Sequence, residues 1–447
     1  MATVDTTAVA YQLKRVYGDR ITDLFARRTM TYNMFQKSSR KANVKPGGAG
    51  YYFSTRQADI ESIGGRTQGG LLPEPLVGDG VQGVISPKLI YGVLRLSGLA
   101  IEAGKGDVMS FVDVQGDAIA NVYKSLVNDL NRQCWGDGYG HLATLSAASD
   151  TLSTSATWTV TMDNDTGTRY IKKGMIVDFF DGTAIDQSSA ASRISSINPT
   201  SKTCEMEAVA AAGAGGSTYQ AYHPLAAART YTIVEEAVPS AAEMIRYGAR
   251  AATHATTNDF YEMMGLRGIY DDGTLITTFE GINTTNDPEW KANILSNSSV
   301  NRDVSIDLML AAVDMTAARS DAEVSMIRMG LGQRRKYFAL LANDVRYAPG
   351  TFLGGYETLN FAQNARIKMV IDPHTRPNAM YFEPEGCIKK YELTPLGWGG
   401  LDGLKMHWRQ DYDEATMFLR LYTNLGTEAR HELTVLSDLT EPSNMPF

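Results

Sequence analysis

A glycine-rich stretch in the first quarter of the chain constrains the fold more than any other feature. Arg56–Gly83 contains seven glycines in 28 residues and no aromatic side chain. The segments on either side, Tyr51–Gln57 and Leu89–Leu96, have the composition of strands, which predicts a long two-stranded hairpin. Because two strands alone are only marginally stable in water, such an arm needs a surface to lie on. We predict that this surface belongs to another copy of the chain.

A long amphipathic helix is predicted next, at Ser110–Cys134. Its 25 residues would span about 37 Å, which is long for a globular domain. Gly136-Asp137-Gly138 is predicted to end it. Its apolar stripe consists of residues at helical spacing: Phe111, Ile119, Val122, Leu126 and Leu130.

Composition places the chain among soluble globular proteins. Its 447 residues are enough for two or three folded units, and its 43% hydrophobic and 21% charged contents are ordinary. It has no apolar run near the length of a membrane-spanning helix, and its N-terminus lacks the apolar core of a secretion signal. Cys134, Cys204 and Cys387 are widely separated, which argues against a disulfide framework or a metal site and favours folding in a reducing cytoplasm.

Charge is distributed unevenly along the chain. The net charge is −8, of which residues 1–50 contribute +6 and the remainder −14. An acidic body does not suit tight binding to nucleic acid, but it suits a wall that lies beside nucleic acid without gripping it. The basic N-terminal segment is consistent with contact to DNA, to an acidic assembly factor or to a neighbouring subunit, and equally with a solvated helix face.

Two further segments divide the chain before the main body resumes. Thr6–Ser39 is predicted to be helical, and the break at Pro46-Gly47-Gly48 makes it an arm on a flexible joint. Ser146 to about Thr230 is rich in Ser, Thr, Ala and Gly, and its five short alternating runs predict an inserted small β-barrel or sandwich. These runs are TWTVTMD, KGMIVDFFDG, SRISSI, KTCEMEAV and RTYTIV.

The rest of the chain predicts an α+β body, because its helices and strands do not alternate as regular βαβ units. Helices are predicted at Ser240–Met264 and Asp303–Ala318, the second with Asn301 or Asp303 as N-cap. The predicted strands are Lys336–Leu341, Arg366–Ile371, Ala379–Phe382, Ile388–Leu393, Lys405–Arg409, Thr416–Tyr422 and Glu432–Leu436.

The sequence predicts no catalytic, cofactor or metal site. Asp163–Gly167 resembles the start of a calcium loop, but Gly174 stands where an EF-hand needs its bidentate Glu, so a turn is favoured. The cluster Gly397–Gly403 lacks the spacing of a phosphate-binding loop, and the sequence contains neither HExxH nor GxSxG. Cys134 ends a helix stripe and is predicted to be a core residue.

The order of the parts resembles the major capsid proteins of tailed bacteriophages, whose fold encapsulins share. The chain has its parts in the same order as that family: a basic arm, a glycine-rich hairpin, a long helix ended by GDG, and a mixed body with an inserted β domain. Six segments are also similar in sequence to that family: LSGLAIEAG, GDGYGHLA, FEGINTTNDPEWKANI, RRKYFALLAND, GGYETLNFAQNARIKMVIDPH and LRLYTNLGTEARHELTVLSDL. The resemblance covers nearly the whole chain, although no single motif is decisive.

The resemblance implies a tailed-phage major capsid fold with an extra β domain. Its parts would be an N-terminal arm, an extended loop, a peripheral domain with a spine helix, the inserted β domain and an axial domain at the capsomer centre. The implied boundaries are 1–45 for the arm, 46–96 for the loop, 97–145 for the peripheral domain with the spine helix, 146–230 for the inserted β domain, 231–266 for the peripheral continuation, 267–400 for the axial domain and 401–447 for the peripheral return.

The same resemblance implies a structural protein without enzymatic activity or cofactor. Pentamers and hexamers would tile an icosahedral shell around a double-stranded DNA genome, in a virion assembled in the host cytoplasm. Further partners would be separate scaffold, portal and decoration proteins, with weak non-specific contact to DNA and none to a membrane. Three alternatives stay open: an encapsulin-like shell around a cargo enzyme, an enzyme of unknown class, and another virion part such as a tail or portal protein. Encapsulins usually lack an inserted domain of this size, which favours the virus.

Charged side chains are the candidate inter-subunit contacts. They are Arg56, Glu61, Arg66 and Glu74 on the loop, with Lys14 and Arg15 on the N-terminal helix. Exposed ion pairs contribute only about 0–1 kcal/mol each, so solvated side chains remain the alternative. One variant of the family joins subunits covalently through a loop Lys and a partner's Asn. Because no Lys lies between Lys45 and Lys88, we expect intact monomers on a denaturing gel of assembled particles.

Overall fold

The computed structural model describes residues 31–40, 43–45, 48–56, 63–71, 78–99, 114–138, 140–144, 157–162, 168–180, 192–208, 232–235, 262–341, 359–361, 367–399, 407–408 and 413–442. Helices and strands are mixed in this part of the chain without regular βαβ alternation, as the α+β prediction requires. The described helices are α1 Thr31–Met34, α2 Val114–Trp135, α3 Leu266–Ile269, α4 Ile306–Ser320 and α5 Leu331–Leu341.

Helix α2 is the predicted long helix, described from Val114 because residues 110–113 lie outside the described part. Leu126, Leu130 and Cys134 of its stripe are buried, and Cys134 is a core residue as predicted. The helix packs closely against the backbone of strand β5, Lys88–Ser97. A Cβ atom placed on Gly92 of that strand would lie 3.1 Å from side-chain atoms of both Leu126 and Val122.

A long sheet of five strands carries α2 on one face. Its members are β1 Gln36–Lys37, β19 Ile388–Trp398, β21 Glu414–Thr427, β20 His407–Trp408 and β5. Strand β5 pairs along its whole length with β21, from Ser97 opposite Glu414 to Lys88 opposite Thr423. The predicted hairpin between Tyr51–Gln57 and Leu89–Leu96 is therefore wrong. Leu94 and Leu96 belong to the buried cluster beneath α2, which draws this strand into the body.

The glycine-rich stretch instead closes a hairpin of β3 Gly48–Arg56 and β4 Gly80–Ile85, with β2 Asn43–Lys45 on the far side of β3. We call the β3–β4 hairpin and the residues between its strands the arm. Its register runs from Tyr51 opposite Ile85 to Arg56 opposite Gly80. Tyr51, Phe53 and Ile85 are buried in the central hydrophobic core, so the base of the arm is part of the body.

A six-stranded mixed sheet and two helices form a second core. The strands, in spatial order, are β14 Asn293–Leu295, β22 Thr434–Leu436, β18 Met380–Pro384, β15 Val324–Met329, β17 Ile367–Ile371 and β16 Leu359–Phe361. Helix α4 begins later than predicted, because its N-cap is Ser305, whose Oγ accepts from Leu308 N at 3.2 Å, and not Asn301 or Asp303.

The predicted strand at Lys336–Leu341 is wrong, because this segment is the second half of helix α5. A short apolar run has no periodicity of its own that separates helix from strand. The sequence prediction missed the preceding strand β15, which pairs with β17 and β18. The side chain of Tyr337 then packs in the second core.

A separate six-stranded antiparallel sheet contains all five strands predicted in the Ser/Thr-rich segment. In spatial order it consists of β6 His141–Thr144, β11 Thr232–Glu235, β8 Ile176–Phe180, β9 Ser192–Asn198, β10 Thr203–Ala208 and β7 Thr157–Thr161. We call it the insert sheet. Val160, Ile194 and Cys204 are fully or almost fully buried on one of its faces. It meets the body where Tyr170 stacks on His374 at a centroid distance of 5.8 Å.

The predicted helices near residues 6–39 and 240–264 are described only at their C-terminal ends. Of the first, Thr31–Met34 is helical, but Gln36–Lys37 is a strand paired in parallel with β19. The physical reason is burial. The helix ends at Met34, and the side chain of Phe35 packs in the central core. Residues 262–264 are not helical, and 236–261 lie outside the described residues.

Candidate intersubunit surface

The base of the arm is oriented by a tight turn of the body. Strands β12 Thr278–Phe279 and β13 Ile282–Asn283 are joined by Glu280 and Gly281, both with positive φ, as a two-residue hairpin turn of type I′ requires. The backbone oxygen of Glu280 accepts from Val84 N of the arm at 2.8 Å. The Glu280 carboxylate accepts from Thr427 N at 3.0 Å, and burial raises the pKa of this carboxyl well above its usual range.

A charged anchor holds the N-terminal segment beside the arm. Arg40 donates through Nε and Nη2 to both carboxylate oxygens of Glu428, each at 2.6 Å, and through Nη1 to Tyr52 O of strand β3 at 3.4 Å. Tyr391 donates its hydroxyl to the same carboxylate at 2.9 Å. The hydrogen bonds from Arg40, followed by those from Tyr391, lower the pKa of Glu428. The residues next to the expected joint are thus bonded to the body.

Buried polar side chains near the end of α2 hold the chain at residues 262–263. Arg132 near the end of α2 donates to Glu262 through Nη1 at 3.1 Å and to Asp129 through Nε at 2.8 Å. Burial raises the pKa of Glu262 to about 7, and the facing Arg132 opposes that shift. Gln133 accepts from Met263 N at 3.1 Å. These groups fasten residues 262–263 to the helix, a structural role.

The outer part of the arm presents apolar side chains to water. We call Ile63–Leu71 the arm tip. Ile63 is 92% exposed and Leu71 is 90% exposed, the largest values among the described large hydrophobic residues. The tip is nevertheless ordered by bonds within itself: Gly70 N donates to Thr67 O at 2.9 Å, and Arg66 Nε donates to Leu71 O at 2.9 Å.

The structure places two of the six sequence-predicted contact residues. Arg56 is exposed at the last paired position of β3, opposite Gly80. Arg66 is exposed in the arm tip. The other four lie outside the described residues: Lys14, Arg15, Glu61 and Glu74. Pairing of any of them with a neighbouring subunit stays a prediction.

Sequence reasoning missed the two aliphatic residues of the arm tip. Neither Ile63 nor Leu71 belongs to a periodic apolar pattern, because Ile63 lies between Ser62 and Gly64 and Leu71 has only Leu72 beside it. Charge drew the prediction to Arg66 instead. The available signal was that these two large aliphatic side chains lie in a stretch that contains no aromatic residue and few other partners for a local core.

All three cysteines are free thiols. Within the described ranges no group of three or more His, Cys, Asp or Glu side chains is arranged to hold a metal ion. Burial raises the pKa of Cys204 to about 12 and those of Cys134 and Cys387 further, so the thiols stay protonated. No helix among the described residues is long and apolar enough to cross a membrane. Asp163–Gly167 lies outside the described residues.

Chains of three solved capsids are similar in structure to nearly the whole of this chain. The capsid asymmetric unit of cyanophage A-1(L) contains a chain that is 12% identical, with a TM-score of 0.56 over 98% of this chain and 99% of that one. The capsid of a native GTA particle (8% identity, TM-score 0.45, 98% and 100% covered) and that of Myoviridae phage XM1 (8%, 0.44, 95% and 97%) also match. No protein-family model and no curated protein matches the sequence. The cyanophage match confirms the predicted phage capsid fold.

Proposed function

We propose that this chain, which has the fold of the cyanophage A-1(L) capsid chain, is a structural major capsid protein that assembles with copies of itself into a closed shell. Pentamers and hexamers would tile an icosahedral shell around double-stranded DNA, in a virion assembled in the host cytoplasm. The observation that carries the proposal is the arm: its base is built into the core of its own chain, while its tip exposes Ile63 and Leu71 almost completely.

The physical logic of assembly supports this function. When two different surfaces of identical subunits contact each other, the subunits form a ring if the rotation from one to the next adds up to a full turn. An arm that reaches beyond its own body then joins each subunit to the next. The body is acidic, with a net charge of −14 outside residues 1–50, and this charge suits a wall with only weak, non-specific contact to DNA. Scaffold, portal and decoration proteins are the further partners that such a shell would use.

We propose the same division into domains that the sequence implies, with strands β7 to β10 of the insert sheet as the core of the inserted β domain of residues 146–230. Strands β6 and β11 pair with each other where the chain enters and leaves this domain. Ends that meet in this way are expected of a domain inserted into a continuous body. The Arg40–Glu428 contact and strand β1 fix the inner end of the N-terminal arm.

Removing the outer arm tests the proposal. Arg56 and Gly80 face each other across the hairpin, so residues 57–79 can be replaced by a two-residue Asn-Gly turn that keeps β3 and β4 paired. We expect the variant to remain folded by circular dichroism but to give no stable shells in electron micrographs, whereas the intact chain forms them. Normal shells from the variant would contradict the role of the arm, and rings or tubes from the intact chain would point to another virion part.

A further inference from the structure

The turn between β12 and β13 holds the base of the arm through its first residue, Glu280. Its backbone oxygen accepts from Val84 N of β4 at 2.8 Å, and its side-chain Oε1 accepts from Thr427 N of β21 at 3.0 Å. Its φ of +53° is unfavourable for a residue with a Cβ atom, so the turn depends on these bonds. We propose that Glu280 is a proton-controlled fastener. With its proton it holds β4 on the body, and without its proton the base of the arm opens.

The carboxyl group of Glu280 is packed tightly between the long sheet and the arm. A Cβ atom placed on Gly426 of β21 would lie 2.5 Å from Glu280 Oε1 and 2.7 Å from Ile85 Cδ1 of β4. The second oxygen, Oε2, is buried and has no hydrogen-bond partner among the described residues. Burying an ionised carboxylate with an unpaired oxygen costs far more free energy than burying a neutral carboxyl. The closed position of Glu280 therefore favours the protonated form.

Arg430, the cation that acts on Glu280, is already engaged elsewhere. It donates through Nε to Ile269 O at 2.9 Å and through Nη2 to Gly268 O at 3.0 Å. Its Nη2 also lies 3.7 Å from a carboxylate oxygen of Asp271. Burial raises the pKa of Glu280 well above its usual range, although Arg430 opposes the shift.

Two other titratable groups lie near the Glu280 carboxyl. Glu428 is ionised, because its hydrogen bonds with Arg40 lower its pKa, and its charge adds to the upward shift of the Glu280 pKa. Tyr391 keeps its hydroxyl proton, since burial raises its pKa. Of these three groups, Glu280 is therefore the one whose proton differs between a closed and an open arm base.

This proton links the opening of the arm base to pH. In the open state the carboxyl reaches water, where its pKa is 4.5, whereas in the closed state it keeps the proton at higher pH. Between these two pKa values each opening releases one proton, so the equilibrium constant for opening increases about tenfold per pH unit. The fastener is fully effective below pH 4.5 and weakens as the pH rises through neutrality.

Hydrogen exchange of the unassembled full chain tests this fastener. Glu280→Gln has nearly the same shape but no proton to lose. Mass spectrometry follows the backbone amides of β4, Gly80–Ile85, in the parent and the variant between pH 6 and pH 8. We expect the ratio of the parent's exchange rate to that of Glu280→Gln to increase about tenfold per pH unit. A ratio that stays constant would overturn the proposal.

Glu428→Gln is the matched control, because it removes a neighbouring carboxylate that is already ionised. The ratio of the parent's exchange rate to that of Glu428→Gln should not change with pH. The amides of β15, Val324–Met329, report on the second core. A slope in β15 equal to that in β4 would show that Glu280 acts on the whole fold, and would contradict a local opening of the arm base.

The parent alone decides the question if Glu280→Gln does not fold. The exchange rate of β4 relative to that of β15 should then increase about tenfold per pH unit, and a constant relative rate would overturn the proposal. Each measurement is made on the unassembled subunit, so its outcome does not depend on the proposed function.

Discussion

At the scale of single residues, the loop Asn297–Val300 concentrates backbone strain. Ser298 and Ser299 both have positive φ, as does Asp438 beneath them. Such conformations cost non-glycine residues on the order of 1–3 kcal/mol each. The carboxylate of Asp438 offsets that cost by accepting from Asn297 N at 2.7 Å and from Ser299 N at 3.0 Å.

Substitution of Asp438 tests this balance. Asp438→Ala removes both hydrogen bonds and leaves alanine in the left-handed region, so we expect a loss of about 2 kcal/mol in the free energy of unfolding. Asp438→Asn keeps an accepting oxygen and tolerates the conformation, so it should lose less. Urea unfolding of the unassembled subunit measures both. Equal stability of the alanine variant and the parent would show that the loop is not held by this side chain.

Glu441 gives a pH-dependent prediction at the same scale. Partial burial raises its pKa from 4.5 to about 7, against the opposing effects of Arg169, the hydrogen bond from Gln333, and Lys336 and Lys202. Between pH 4.5 and about pH 7, the folded state therefore keeps a proton on Glu441 that the unfolded state has released. Stability from this group is complete below pH 4.5 and declines as the pH rises to about 7.

The isosteric variant Glu441→Gln removes this titration. As the pH increases from 5 to 7.5, we expect the parent to lose melting temperature relative to Glu441→Gln. Only the parent has a carboxyl group at this position, and its ionisation destabilises the folded state. Glu385→Gln, at an exposed position, is the control and should change nothing. Parallel melting curves for parent and Glu441→Gln across this range would contradict the assignment.

At the scale of elements, the base of the arm depends on one glycine. A Cβ atom at Gly83 of β4 would overlap the ring of Phe53 on β3, a core residue. Gly83→Ala therefore forces Phe53 out of its site. We expect it to destabilise the subunit by about 1–3 kcal/mol, the usual cost of overpacking.

Gly65→Ala in the arm tip is the matched control. Nothing lies within 4 Å of a Cβ atom at Gly65, so its effect on the melting temperature should be negligible. Limited proteolysis should cut the arm faster in Gly83→Ala than in either the parent or the control. Equal digestion rates would show that the Phe53 contact does not anchor the arm.

The sequence predicts elements well where a period is repeated and poorly where the partner is distant. Helix α2 and the five strands of the Ser/Thr-rich segment follow from their own patterns. Strand β5 was assigned to the wrong partner because its true neighbour, β21, lies more than 300 residues later in the chain. The strand prediction for Lys336–Leu341 was wrong for a local reason, since a short apolar run fits either a helix or a strand.

Candidate contact residues are less predictable than elements. Arg66 attracted attention because charge is visible in a sequence, yet its Nε is bonded within its own loop. Ile63 and Leu71 stand out only once their exposure is known. Their one sequence signal, a stretch without aromatic residues, does not by itself separate a core position from an exposed one.

At the scale of the whole molecule, the chain combines a well-packed body with an arm whose base lies in the core and whose described tip, residues 63–71, is exposed. The central core joins residues from the N-terminal segment, the arm base, α2 and the strands β19 and β21. The tip lies beyond this core with its aliphatic side chains in water. The account therefore requires other copies of the chain to complete the burial.

Electron cryomicroscopy of the purified full-length chain at high concentration tests that requirement most directly. We predict closed shells in which each arm tip lies against a neighbouring subunit. A compact monomer at high concentration, with the arm folded back onto its own body, would contradict the account.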